Sequence, residues 1–152
     1  MLQSRIESDL KQALLGGDKA KVSVLRMLKS VIGYAQVENR GQELTDHDIL
    51  QLAAKEVKKR QESADMYEKA GALEKRDAEL AEKALIEEYL PAQMDDAELG
   101  KLIDLAITEH GPLGVQTMGR IIGGVKQRAE GRVDSARIAM AVKARIDQEA
   151  DK

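Results

Sequence analysis

The chain has 152 residues, enough for one domain or two small ones, with 43% hydrophobic and 34% charged residues and a formal net charge of −3. It contains no Cys, Phe or Trp, and only two prolines and three tyrosines. That excludes disulfides, thiolate metal sites and cysteine nucleophiles, and it leaves the core to Leu, Ile, Val, Met and Ala, the set that suits helix-on-helix packing. An all-α protein is therefore expected. No apolar run approaches the roughly 20 residues of a membrane helix. The N-terminal residues carry no leader pattern, so a cytoplasmic location is expected.

The spacing of apolar residues predicts seven helices. The first covers about residues 2–15, with Ile6, Leu10, Ala13 and Leu14 on one stripe, and stops at Gly16-Gly17. Asp18 caps a second helix that reaches about Val37. Its apolar stripe is Leu25, Leu28 and Ile32, and Arg26 and Lys29 lie on the other flank. Thr45 and Asp48 form a capping pattern at the start of a third helix, about Asp46 to Ala70. On its apolar face fall Glu56 and Arg60, four apart and placed to pair. Lys55, Lys58 and Lys59 line the flank. Antiparallel packing of the second and third helices is expected from the short turn between them. A fourth, acidic helix follows Gly71 and is ended by Pro91.

Asp95 and Glu98 then read as a capping box, with Met94 and Leu99 placed as its hydrophobic staple. This marks a new start, so the expected organisation is a four-helix N-terminal domain over 1–90, a linker over 91–94 and a small three-helix C-terminal domain over 95–150. The fifth helix ends at Gly111-Pro112, the sixth spans about 115–129 and closes at Gly131, and the seventh is capped by Asp134. Gly119 and Gly123 share one helical face. Their propensity cost of about 1 kcal/mol each suggests that another helix approaches there. Pro91, Gly119, Gly123, Gly131 and Asp134 are thus expected to be structural.

Few constellations could carry chemistry. Gly114 to Gly119 has the glycine spacing of a phosphate loop, but lacks its Lys, its Ser/Thr and its preceding strand. The adjacent pairs Glu87-Glu88 and Asp95-Asp96 point about 100° apart on a helix and cannot converge on one proton or metal. The six serines fall in no nucleophile motif. No catalytic residue, metal site or cofactor is expected. The charge is uneven: residues 1–60 carry 11 basic and 8 acidic side chains, 61–110 carry 5 and 14, and 111–152 carry 8 and 5. The cations Arg26, Lys29, Lys58, Lys59 and Arg60, with Arg120 and Lys126 further on, are candidates for phosphate contacts. The alternative is a solvated charged face. Scarce aromatics favour structured RNA over extended single strands.

Leu25-Arg26-Met27-Leu28-Lys29, Glu56-Val57-Lys58-Lys59-Arg60-Gln61-Glu62-Ser63, Tyr89-Leu90-Pro91-Ala92-Gln93-Met94, Met118-Gly119-Arg120-Ile121-Ile122-Gly123 and Gly131-Arg132-Val133-Asp134, in this order and spacing, resemble the YqeY family over essentially the whole chain. The pattern is also similar, less completely, to the tail domain of GatB, the tRNA-handling subunit of the glutamine-dependent amidotransferase. The departures are mild, with Arg120 where many members have Lys and Ile122 where many have Met. The resemblance implies two all-helical parts, a link to tRNA, and association with an amidotransferase or another tRNA enzyme. It does not imply catalysis: a carbon–nitrogen ligase label with glutamine as amido-N-donor would be inherited from the neighbouring domains of the amidotransferase. The expected function is a stand-alone, non-catalytic tRNA-binding module with no membrane or DNA partner. A protein–protein adaptor without RNA contact is the second reading, and a ligase-related enzyme the last.

Overall fold

The computed structural model describes residues 1–151, and those residues form seven α-helices and no strand. The chain divides into a unit of residues Met1–Leu90 and a second that begins at Pro91.

In the first unit, α1 (Leu2–Gly16) packs on α2 (Lys19–Glu38), and α3 (Asp46–Lys69) packs on α4 (Leu73–Glu87). The end of α1 and the starts of α2 and α3 are those the sequence specifies. Gly17 stops α1 at a φ of 71°, Asp18 accepts from the Lys21 amide, and Thr45 and Asp48 complete a reciprocal capping box. The expected pairing of α2 with α3 is secondary. α2 lies mainly on α1, and α3 mainly on α4: two residues join the first pair and three the second, whereas seven separate α2 from α3. Ile6, Leu25, Leu28, Ile49 and Ile86 fill the space between them and are almost fully buried.

α4 ends earlier than Pro91 requires. It stops at Glu87, and the Tyr89 and Leu90 amides turn back to the carbonyls of Ile86 and Glu87. This tightened turn carries Tyr89 into the core, where its hydroxyl donates to Asp9 Oδ2 at 2.6 Å and the Arg5 guanidinium stacks 4.8 Å from its ring centre. Burial, then the hydrogen bond to the charged acceptor, pushes the Tyr89 phenol well above its ordinary range. It stays a donor at any physiological pH. The end of α4 is thereby tied to α1.

The second unit contains α5 (Asp96–His110), α6 (Met118–Ala129) and α7 (Ser135–Ala150) around Ile103, Ile121, Val125, Ile138 and Val142. Residues 91–94 are not a free linker. The Met94 side chain is buried in this core beside Leu99, its amide donates to the Arg132 carbonyl, and its carbonyl accepts from Arg137. Arg132 Nε also donates to the Ala92 carbonyl. The segment is the first strap of the second unit, because a capping-box helix needs its staple residue held down. Arginines close the remaining gaps. Arg137 reaches Asp96 at 2.7 Å, Arg132 reaches Glu98 at 3.2 Å, and Arg128 and Arg145 pair with Glu109 and Asp104.

α6 begins three residues later than its periodicity suggests. Thr117 Oγ1 donates to the Pro112 carbonyl and accepts from the Gly114 amide, so 114–117 is a closed turn. The one hydroxyl proton is committed to a backbone carbonyl, and the turn leads into α6. Gly131 lies at a φ of 80°, and Asp134 caps α7 by accepting from the Arg137 amide at 2.9 Å.

Gly119 and Gly123 are not the close-approach pair that the sequence predicts. Both lie on the exposed face of α6, and a Cβ at either would meet nothing within 4 Å. The glycine that admits a neighbour is Gly124, whose hypothetical Cβ would lie 3.0 Å from His110 Nε2 and 3.6 Å from the Ala106 Cβ. A spacing of four identified the wrong pair, since the inward direction of α6 is set by Ile121 and Val125. Gly123→Ala is therefore expected to stabilise the second unit by about 0.5–1 kcal/mol through helix propensity. Gly124→Leu is expected to destabilise it by about 1–3 kcal/mol through overpacking against α5. Thermal melts of both variants check this; a destabilised Gly123→Ala with a neutral Gly124→Leu would reverse the assignment.

Candidate nucleic-acid interface

The structure sorts the candidate cations by whether another group already holds them. Glu56 and Arg60 face the core from adjacent turns of α3, as their place on the apolar stripe requires. Arg60 Nη1 donates to Glu56 Oε2 at 2.7 Å, and its Nε faces Glu82 Oε2 on α4 at 3.3 Å, a charge contact without a well-aligned hydrogen bond. The Arg60 side chain is only 13% exposed. Lys59 Nζ donates to the other oxygen of Glu56 at 3.2 Å, with most of its stem in solvent. Burial pushes the Glu56 carboxyl up, but hydrogen bonds from Arg60 and Lys59 outweigh it and hold the group below the usual carboxylate range. Arg60 is thus a core tie between α3 and α4, and Lys59 is half committed to the same cluster.

Arg26, Lys29, Lys55 and Lys58 are exposed, and among the described residues none makes an ion pair or a side-chain hydrogen bond. The same holds for Lys19, the first residue of α2. α2 has no acid before Glu38, its last residue. At 100° per residue, Lys19, Arg26 and Lys29 fall on its outward side, which is consequently positive over about 15 Å of its length. Lys21 is also on α2 but is half-buried, on the side that carries the apolar stripe. α2 packs on α1, α4 and α3 with its other residues and leaves Lys19, Arg26 and Lys29 to solvent.

In the second unit, Arg120 and Lys126 stand on the exposed face of α6, unpaired among the described residues and on the same side as Gly119 and Gly123. The other arginines nearby, Arg128 and Arg132, are spent on carboxylates. Among the described residues, no group of three or more His, Asp or Glu side chains converges to hold a metal ion, and no helix is long and apolar enough to cross a membrane.

The fold and these faces define an all-helical protein with two helical units and exposed, unpaired cations on α2 and α6. Residues 3–146 match the family model described as Yqey-like protein, and the chain belongs to that YqeY family. No curated protein matches the chain.

Proposed function

We propose that this chain is a stand-alone, non-catalytic tRNA-binding module that acts alone or beside an amidotransferase or another tRNA enzyme. The observation that supports it most is the outward face of α2, where Lys19, Arg26 and Lys29 have no partner and no acid stands among them. Unpaired Lys and Arg on a rigid helix are poised to displace counterions from a phosphate backbone. Lys58 adds to this set, Lys59 contributes its exposed end, and Arg60 acts by holding α3 against α4. Arg120 and Lys126 supply a second set on α6. The similarity to the GatB tail domain makes tRNA the structured RNA to test first. Backbone contacts fix position without reading sequence, so several tRNA species should bind alike.

The test is an anisotropy titration of labelled tRNA at two salt concentrations. Parent protein should bind with an affinity that falls steeply as salt rises. Arg26→Glu/Lys29→Glu, two exposed changes that leave the core intact, should weaken binding to all tRNA species and lower the salt slope by about one for each phosphate no longer neutralised. Lys58→Glu should act in the same direction. Lys59→Glu is a poor probe, since it would set a second carboxylate against Glu56. No binding by the parent at low salt would eliminate this reading in favour of a protein–protein adaptor.

A further inference from the structure

The three tyrosines occupy three different situations. Tyr89 is buried and its hydroxyl is taken by Asp9. Tyr67 is partly buried, with Lys75 Nζ 5.8 Å from its ring centre. Tyr34 is 75% exposed, and among the described residues neither its ring nor its hydroxyl has a partner. It is also the one aromatic on α2. At 100° per residue it continues the ridge Arg26, Ser30, Tyr34, each four residues from the last, about 12 Å from end to end. All three side chains are exposed.

We infer that Tyr34 is a stacking platform for one unpaired RNA base, set at the end of the α2 phosphate-binding ridge. The inference rests on the RNA-binding reading above and adds a nucleotide-level contact to it. Arg26 and Lys29 hold phosphates, the Ser30 hydroxyl offers a donor and an acceptor to the sugar–phosphate chain, and the tyrosine ring takes the face of a base turned out of the helix. Gly33, the residue before it in the chain, has nothing within 4 Å of where a Cβ would stand, so the α2 backbone is open to approach there. The charge of the face selects nucleic acid as the occupant. Tyr34 and Val37 are its exposed large apolar side chains, and they stand between a row of Lys, Arg and Ser and the terminal Glu38 rather than within an apolar patch of the kind a protein partner covers. A single platform also fits a chain whose other aromatics are engaged: the target is a structured RNA that presents an unpaired nucleotide, not an extended single strand.

The experiment compares an RNA hairpin carrying an unpaired loop with a blunt, fully paired RNA duplex of equal phosphate number. Full-length parent, Tyr34→Leu and Tyr34→Phe are titrated with each at one low salt concentration, after melting curves show that the three proteins are equally stable. The parent should prefer the hairpin. Tyr34→Leu should weaken hairpin binding about tenfold, in keeping with the loss of one stacked base, and leave duplex binding unchanged. Tyr34→Phe, which keeps the ring, should bind as the parent does. If the parent binds both RNAs and Tyr34→Leu matches it on the hairpin, the stacking site is refuted while the phosphate-binding reading stands, and the exposed ring belongs to a protein partner or a second copy. If the parent binds neither RNA, both fail together. Equal losses on hairpin and duplex would also overturn the stacking role, since the duplex has no unpaired base for the ring.

Discussion

Arg60→Ala should destabilise the N-terminal unit by about 3 kcal/mol, lowering its melting temperature by more than about 10 °C, before any effect on RNA affinity is seen. The change removes the cation that faces Glu56 on α3 and Glu82 on α4, and leaves Glu56, 7% exposed, with Lys59 alone. A buried carboxylate that loses its closest partner retains its desolvation penalty, and that asymmetry makes the variant costly. The pH dependence supplies a sharper signature. In the parent, the folded-state pKa of Glu56 is held below its ordinary value, so its contribution to stability is present above that value and is lost as pH falls through the lowered one. In Arg60→Ala, burial acts against Lys59 alone, so the carboxyl moves up relative to the parent. Its penalty is then largest near neutrality and relieved by protonation. The difference in melting temperature between parent and variant should therefore narrow as pH is lowered from about 7 to about 4. A constant difference across that range would mean that Arg60 acts through packing of its stem and not through its charge. An unchanged melting temperature at neutral pH would free Arg60 to be a direct RNA contact.

Ile121→Ala should unfold the second unit and spare the first. Ile121 is fully buried at the centre of the small core formed by α5, α6 and α7. Truncating a buried Ile to Ala costs about 2–5 kcal/mol, and a core of this size supplies roughly 3–5 kcal/mol in all. The variant should lose the helical signal of α5–α7 at room temperature, and limited proteolysis should leave a protected fragment ending near Leu90. Arg26, Lys29 and Lys58 lie outside the lost unit, so the variant should retain RNA binding through α2 while losing what Arg120 and Lys126 contribute. A single cooperative loss of all seven helices would show instead that the two units fold as one.

Arginine and lysine are abundant in both units, and most of the arginines are ties: Arg60, Arg76, Arg128, Arg132, Arg137 and Arg145 all meet carboxylates. The guanidinium fork suits this work, since it can reach two acceptors at once, as Arg132 does with Ala92 and Glu98. Lys19, Lys29, Lys55 and Lys58 are the more available charges, and substitution of these four separates binding from folding most cleanly.

The all-helical class, the seven helices and most of their ends are legible in the amino-acid order. These are local matters: an apolar repeat near 3.6 residues, a capping side chain three residues from the amide it accepts, and a glycine at positive φ are all visible within one helical turn. The same local logic found the Glu56–Arg60 pair, because i and i+4 meet on any helix. It failed where a feature depends on what lies opposite. The face of α6 that carries Gly119 and Gly123 proved to be open, and Gly124 is the residue that meets α5. Residues 91–94 read as a linker because nothing in their composition shows that Arg132 and Arg137, some forty positions later, hold their backbone. The principal helix pairs, α1 with α2 and α3 with α4, likewise emerge only in the folded chain. Which cations are spent on carboxylates and which remain in solvent emerges only when the helices pack, since a salt bridge across helices is a property of two surfaces and cannot be read from either one alone.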